Sequence, residues 1–368
     1  MNEAKNYWIV GLVILLIVAA IVVLELRNVE NNNGSSAPLA PTGNSIYPKA
    51  PELTGISGYI NSGDRNTGDN LTIASLRGKV VIIDFWTYSC INCLRTLPYL
   101  NSWYDKYHDD GLVIIGVHTP EFDFEKDYDN VAMAVKKYGI RFPVVLDNDY
   151  GTWNAYSNQY WPRKYIIDKN GYVRFNHIGE GGYDETEKQI QQLLSENSTP
   201  INVPLSNIAD QTPTTQNTGE LYLGYQFAIP RGENVGNDGG LNPEVTQQYN
   251  ISTSLRDNTP YLDGEWISKT DTITSAVGTD KGTTNNNTSS LYLKFTAMKA
   301  HIVVQGPIGA KVYVTVDNQT VNTDDVHDGY FTIDGPRLYT VYDGPYGTYT
   351  LRLYTNIPDI GFNSFTFG

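Results

Sequence analysis

Lys79-Val-Val-Ile-Ile-Asp84-Phe-Trp86-Thr-Tyr-Ser-Cys90-Ile-Asn-Cys93 decides how the first half of this chain is read. From Lys79 to Trp86 both alternating sets of positions are dominated by β-branched or aromatic residues, the pattern of a strand buried on both faces within a parallel or mixed sheet. Asp84 breaks that apolar run near its carboxyl end, and Cys90 comes four residues after Trp86. From Cys93 onward Leu94, Leu97, Leu100, Trp103, Tyr104 and Tyr107 recur at helical spacing, and Gly111 closes the helix. The two cysteines therefore stand at a strand-to-helix turn.

Working outward, Leu112–Val117 reads as a second buried strand and Phe124–Tyr138 as an amphipathic helix stopped by Gly139. Phe142–Leu146 is a short strand and Tyr150–Ser157 a short helix. Arg163–Asp168 and Tyr172–Ile178 are strands joined through Asn170-Gly171, a two-residue hairpin signal. Tyr183–Leu194 closes the domain as a helix. The order β-α-β-α-β-β-α with cysteines at the start of the first helix is the thioredoxin arrangement. The apolar-Asp-Phe-Trp run ahead of Cys90 resembles the active-site strand of thioredoxin-like proteins. Leu76-Arg-Gly-Lys, His118-Thr-Pro-Glu-Phe, Phe142-Pro-Val-Val-Leu-Asp147 and Trp161-Pro-Arg-Lys-Tyr-Ile-Ile-Asp168 resemble the membrane-tethered TlpA/ResA branch and the thioredoxin-like part of the DipZ family. This likeness covers residues 53–197.

A thiol at the first turn of a helix feels the positive end of the macrodipole, so Cys90 is expected to be the attacking sulfur. Cys93, one turn inward and more shielded, suits a resolving thiol. The resemblance implies more. It gives Asp84 the role of taking the resolving cysteine's proton. It places Pro162 at the family's cis-proline, whose neighbouring backbone pairs with a substrate chain, with Trp161 flanking that substrate and Trp86 shaping the near wall. It also implies a reductase rather than an oxidant. ResA-type relatives carry a glutamate three residues after the second cysteine; here that position is Thr96, and Glu121 is a candidate substitute. DipZ proteins add a multi-span CcdA-like electron-transfer part, so this chain is expected to draw electrons from a separate CcdA-like membrane donor and pass them to client proteins with disulfides.

Residues 219–368 change character. Short alternating runs fall at Glu220–Phe227, Leu291–Phe295, His301–Gln305, Lys311–Val316, Tyr330–Ile333, Arg337–Tyr342, Thr348–Tyr354 and Ser364–Phe367, with turns at Asp317-Asn318, Asp328-Gly329 and Asp343-Gly344-Pro345. An all-β sandwich is the natural reading. The region resembles the jelly-roll, carbohydrate-binding-module-like carboxyl-terminal domain of DipZ proteins, through Gly224-Tyr225, Gly264-Glu-Trp266 and Phe365-Thr-Phe-Gly368. Tyrosines and Trp266 are candidates to stack on a glycan, although strand-face packing with an interaction surface explains them better.

At the amino end, no side chain from Asn6 to Leu24 is charged, enough to span roughly 28 Å as a helix. Residues 1–27 therefore read as one uncleaved transmembrane anchor with its amino terminus in the cytoplasm and the rest extracytoplasmic. Residues 28–52 and 198–218 have linker composition. Asn-x-Ser/Thr triplets at Asn33, Asn70, Asn197, Asn250, Asn286, Asn287 and Asn318 are compatible with export. With 26 Lys and Arg against 40 Asp and Glu the net charge is −14, which disfavours nucleic acid as a partner. Having only two cysteines excludes a disulfide-stapled scaffold. A metal site is not expected, because there is no second cysteine pair and His108, His118, His177, His301 and His327 lack ligand spacing. Leu94 after Cys93 excludes a C-x-x-C-H haem attachment. No cofactor is expected beyond the Cys90–Cys93 redox pair itself. Two other functions fit the residues less closely: a cell-surface glycan- or protein-binding protein on a thioredoxin-like scaffold, and a thiol peroxidase.

Overall fold

Val80–Trp86 forms a strand buried at every position, as its two-sided apolar pattern demands. The computed structural model describes residues 46–63, 71–196, 200–251, 254–277 and 288–368. The expected membrane anchor and most of the first linker lie outside these residues. Among the described residues, no helix is long and apolar enough to cross a membrane.

In chain order the first region comprises β1 (Gly58–Ile60), β2 (Val80–Trp86), α1 (Ile91–Tyr107), β3 (Leu112–His118), α2 (Tyr128–Lys137), β4 (Val144–Leu146), α3 (Gly151–Ala155), β5 (Arg163–Ile167), β6 (Val173–Ile178) and α4 (Tyr183–Ser195). The sheet runs β1-β4-β3-β2-β5-β6, with β2, β3 and β4 parallel and β5, β6 and β1 antiparallel to their neighbours. Strand alternation divides β2 between two cores. Val80, Ile82 and Trp86 pack with Leu97, Leu100 and Trp103 of α1 and Ile190 of α4, whereas Val81, Ile83 and Phe85 pack with Trp153, Tyr156 and Ile167.

Element boundaries shift where local capping overrides periodicity. The expected helix Phe124–Tyr138 begins at Tyr128, because the Asp127 carboxylate accepts from the N–H groups of Asp129 and Asn130 and makes Asp127 the N-cap. Residues Asp123–Lys126 form a separate 3₁₀ turn. Both expected linkers are docked where they are described. Val173 N–H donates to Pro48 at 2.9 Å and Ala50 N–H to Gly171 at 3.0 Å. In the second, Tyr99 donates to the Ile208 carbonyl at 2.9 Å and Ser206 N–H to buried Glu187 at 2.8 Å. Linker composition marked where regular structure stops, not where packing stops.

The second region contains β7 (Leu221–Tyr222), α5 (Tyr225–Ala228), β8 (Thr246–Tyr249), β9 (Pro260–Ser268), β10 (Ile273–Ser275), β11 (Ser289–Gln305), β12 (Lys311–Val316), β13 (Gln319–Thr320), β14 (Tyr330–Thr332), β15 (Arg337–Thr355) and β16 (Gly361–Phe367). It is β-rich, as expected. Its pairing is one hydrogen-bonded path, β13-β12-β15-β11-β16-β10-β9-β8, in which β9 also returns to β11. The expected strand Glu220–Phe227 shrinks to two residues. Gly224 lies against another segment so closely that a Cβ there would sit 2.2 Å from the Asp271 carbonyl carbon, and the chain turns into α5. Two expected pairs of strands each merge into one. The turn residues near Asp343 bulge from β15, through a register shift opposite Ala297 and Lys299 of β11, instead of reversing the chain.

The two regions share a core. Phe122, in the loop after β3, is only 2 % exposed and belongs to the apolar cluster of the second region. Its ring lies 5.8 Å from Phe227 and 6.4 Å from Tyr222. Ile91 and Leu94 of α1 pack against that same cluster. The β-rich region thus sits against the end of the sheet that carries the cysteines.

Candidate active site

Cys90 is the N-cap of α1, in extended conformation, and Cys93 lies in the first turn. Cys90 is partly exposed and Cys93 buried, both as free thiols. The placement gives Cys90 the unpaired N–H groups and positive dipole end of the helix. Burial and the neighbouring Cys90 push the Cys93 thiol well above its ordinary range. In the pair, the outer sulfur is the accessible nucleophile and the inner one needs a base.

Asp84 is the one acidic residue of β2. It occupies the strand face shared with Val80, Ile82 and Trp86, directed at the core that contains Cys93. The residue is 1 % exposed and its Oδ1 has no hydrogen-bond partner among the described residues. Burial raises its pKa from 3.8 to about 7, against the opposing pull of the Lys164 cation. Lys164 stands directly across from Asp84 in the β2–β5 ladder. It is fully buried and held below its ordinary pKa by that burial.

Trp161 and Pro162, just before β5, meet Cys90. Their peptide bond is cis, and the Cys90 sulfur lies 4.0 Å from the Trp161 carbonyl oxygen. The Trp161 indole donates to the Thr119 carbonyl at 3.0 Å and packs on Trp153 with ring centroids 4.2 Å apart. Trp86 differs from its expected role: it is 1 % exposed, set edge-on to His118, and lies in the core instead of lining a client surface. Trp266, a candidate sugar platform, is fully buried against Phe362. Thr96 turns its hydroxyl to the Asn92 carbonyl at 3.0 Å.

Several residues that shape the site carry no local sequence signal. Glu125 is buried and accepts from the Ser89 hydroxyl at 2.5 Å and from the N–H groups of Glu121 and Phe122 at 2.6 and 3.0 Å. It thereby ties the residue before Cys90 to the loop after β3. Lys164 could have been suspected, being a lysine just inside an apolar strand two residues after Pro162. A cavity of about 310 Å³ opens beside Cys90, and its far wall comes from the β-rich region through Glu220, Tyr222, Arg231, Thr366 and Phe367. Glu121 also lines it, so the candidate substitute carboxylate does reach the space beside the thiol. No group of side chains among the described residues has the composition of a metal site. His118 is buried, which lowers its pKa to about 3 and keeps it neutral.

Two family models match the chain: the AhpC/TSA family over residues 49–176 and the thioredoxin-like C-terminal domain over residues 218–368. Protein DipZ of Mycobacterium bovis is 39% identical over 260 residues, 70% of this chain and 35% of that protein. The chain thus spans about a third of that relative's length. The thiol-disulfide oxidoreductase YkuV of Bacillus subtilis is 31% identical over 147 residues, 40% of this chain and 94% of YkuV. The thiol-disulfide oxidoreductase ResA of Bacillus cereus is 32% identical over 126 residues, 34% of this chain and 70% of ResA. With two such oxidoreductases matched over most of their lengths, and a dithiol at the strand-to-helix turn, the chain belongs to the thioredoxin-like thiol-disulfide oxidoreductases.

Proposed function

We propose that the protein is a membrane-anchored, extracytoplasmic reductase of client protein disulfides. The observation that supports it most is the partly exposed Cys90 at a helix N-cap, with Cys93 buried one turn inward and the cis Trp161–Pro162 backbone beside the outer sulfur. In this reading the Cys90 thiolate attacks a client disulfide and forms a mixed disulfide. Cys93, relieved of its proton by Asp84, then displaces the client and leaves a Cys90–Cys93 bridge. Trp161 and Pro162 seat the client chain. Reducing equivalents come from a separate CcdA-like membrane donor. The anchor is the uncharged Asn6–Leu24 stretch.

Reduction of insulin disulfides by the soluble fragment tests this, with Cys90→Ser as control. Activity that persists in Cys90→Ser removes the proposal. A redox potential near that of DsbA, about −120 mV, would reverse the direction of transfer. The rival glycan-binding role loses one of its candidate platforms with the burial of Trp266. Its tyrosines Tyr313, Tyr330 and Tyr354 stack on one another or beneath Lys311 and Arg352.

A further inference from the structure

The cavity beside Cys90 contains a hydrogen-bonding arrangement that neither region makes alone. The Tyr222 hydroxyl oxygen lies 2.5 Å from Glu121 Oε1 and 3.1 Å from Glu220 Oε2. Glu121 comes from the loop after β3, and Glu220 and Tyr222 from the start of the β-rich region. A phenol has one hydrogen to donate, and two ionised carboxylates can only accept. Both contacts are hydrogen bonds only if one carboxyl carries a proton and donates it to the phenol oxygen. Burial raises Glu220 to about 7 as well, but Glu220 is exposed as a residue whereas Glu121 is half-buried. The proton belongs on Glu121, the more enclosed of the two.

The surroundings agree. Burial, followed by the Glu220 charge, raises Glu121 well above the ordinary carboxylate range. The Glu125 charge adds to that rise, whereas the Tyr222 hydrogen bond and the Arg231 guanidinium pull the other way, and Tyr150, Asp123, Lys126 and Asp271 border the neighbouring groove. On the Tyr222 side, Glu233 accepts from its N–H at 2.8 Å, and the Arg231 guanidinium lies 4.2 Å over its ring. A separate feature marks the cavity as a place for a polar occupant. Thr366 lines it, and its buried hydroxyl has no hydrogen-bond partner among the described residues.

We infer that Glu121, positioned by Tyr222 and Glu220, holds the proton given up by Cys90 and returns it to the first sulfur to leave the client disulfide. This rests on the reductase reading and deepens it. The proton that Glu121 carries in this arrangement is the one Cys90 has given up, so Cys90 stands as the thiolate. Its sulfur attacks one client sulfur, the client S–S bond breaks, and the new Cys90–client bond forms. The departing client sulfur takes the electron pair and the Glu121 proton, becoming a thiol. Cys93, its proton taken by Asp84, then attacks Cys90; the Cys90–client bond breaks, the second client sulfur leaves with the electron pair and takes up that proton, and the Cys90–Cys93 bond forms, so the dithiol loses two electrons and the client gains them. The proton is held by groups from both regions, which makes the β-rich region part of the active site.

The test uses the full chain, reduced beforehand and mixed with insulin in single turnovers across pH. In the parent, the rate should fall on the alkaline side as Glu121 loses its proton. Glu121→Gln and Tyr222→Phe should lose that limb and slow the neutral-pH step roughly 10²-fold, the low end for proton transfer by a positioned group. Glu220→Gln removes the charge that raises Glu121 but keeps an acceptor for the phenol hydrogen, so its alkaline limb should move to lower pH. A purely structural role would move no limb. An infrared band of protonated carboxyl at neutral pH should be present in the parent and reduced in Glu121→Gln, a readout independent of turnover. Unaltered circular dichroism separates these effects from misfolding. Profiles that superpose on the parent, with rates within about twofold, or an unchanged infrared band, overturn the inference while leaving the reductase reading intact. A parent as inactive as Cys90→Ser overturns the reading itself.

Discussion

Two acidic groups approach the dithiol from different architectures. Asp84 lies beneath Cys93 inside a single sheet, with Lys164 as its cross-strand neighbour. Glu121 lies beside Cys90 at a seam, and its phenol partner Tyr222 is 101 residues away in the chain. The first carboxylate is placed by strand alternation, which any sequence with the right period reproduces. The second depends on Phe122 entering the apolar cluster of the β-rich region and on Glu125 holding the loop behind it. A base buried in a sheet is hard to displace, whereas a group at a seam is only as well placed as the packing between the two regions.

Cys90→Ser should bring the largest change, complete loss of client reduction, and Cys93→Ser should instead accumulate the mixed disulfide, visible on non-reducing gels. Neither depends on which carboxylate matters. Asp84→Asn separates them, and should slow the resolving step about 10²-fold, as expected for loss of a positioned base, while leaving the first attack unchanged. Its effect on stability has a definite sign. Asp84 binds a proton more tightly folded than unfolded, with a pKa of about 7 against 3.8. Its contribution is therefore complete below about pH 4 and is lost as pH rises through about 7. Asp84→Asn should then be more stable than the parent at pH 8, by roughly 1–3 kcal/mol once the unpaired Lys164 is allowed for, and no more stable at pH 4. Chemical denaturation at both values checks this, and equal stabilities at pH 8 would mean that Asp84 is not desolvated.

Phe122→Ala attacks the seam. Loss of a buried phenylalanine costs about 3–5 kcal/mol, and the loop that carries Glu121 loses its anchor. Thermal melting should show the destabilisation, and limited proteolysis should open the chain near residues 198–218. Retention of parental stability would mean that the two regions are held elsewhere. Tyr354→Ala, in the tyrosine ladder of the β-rich region, should cost at most about 1 kcal/mol and leave insulin reduction unchanged. A redox effect from so distant a change would blur the division between the two sites.

Much of the first region was legible in the chain itself. The doubly buried strand, the cysteines at a helix start and the Asn170-Gly171 hairpin all rest on contacts between residues near in sequence or on a strict period. Helix and strand ends were less so, because Asp127 captures N–H groups that periodicity would have assigned to the preceding turn. Trp86 was misplaced because a large aromatic one strand-length from the cysteines suits a core as well as a surface, and only the close approach of Gly116 and His118 decides between them. In the β-rich region the strands were largely found, but β8 to β10 were missed and adjacent runs were divided. A register shift can absorb a Gly-Pro turn signal without reversing the chain.

The sequence by itself determined the thioredoxin-like sheet, the dithiol and the carboxylate beneath it, since a period of two and a helix start place Asp84, Cys90 and Cys93 within a few residues of one another. Only the tertiary structure decided that Lys164 faces Asp84, that the expected linker is strapped to α1 and α4, and that Tyr222 and Glu220 meet Glu121 beside Cys90. Those contacts join side chains from distant segments, and no local pattern encodes which distant surfaces bury each other.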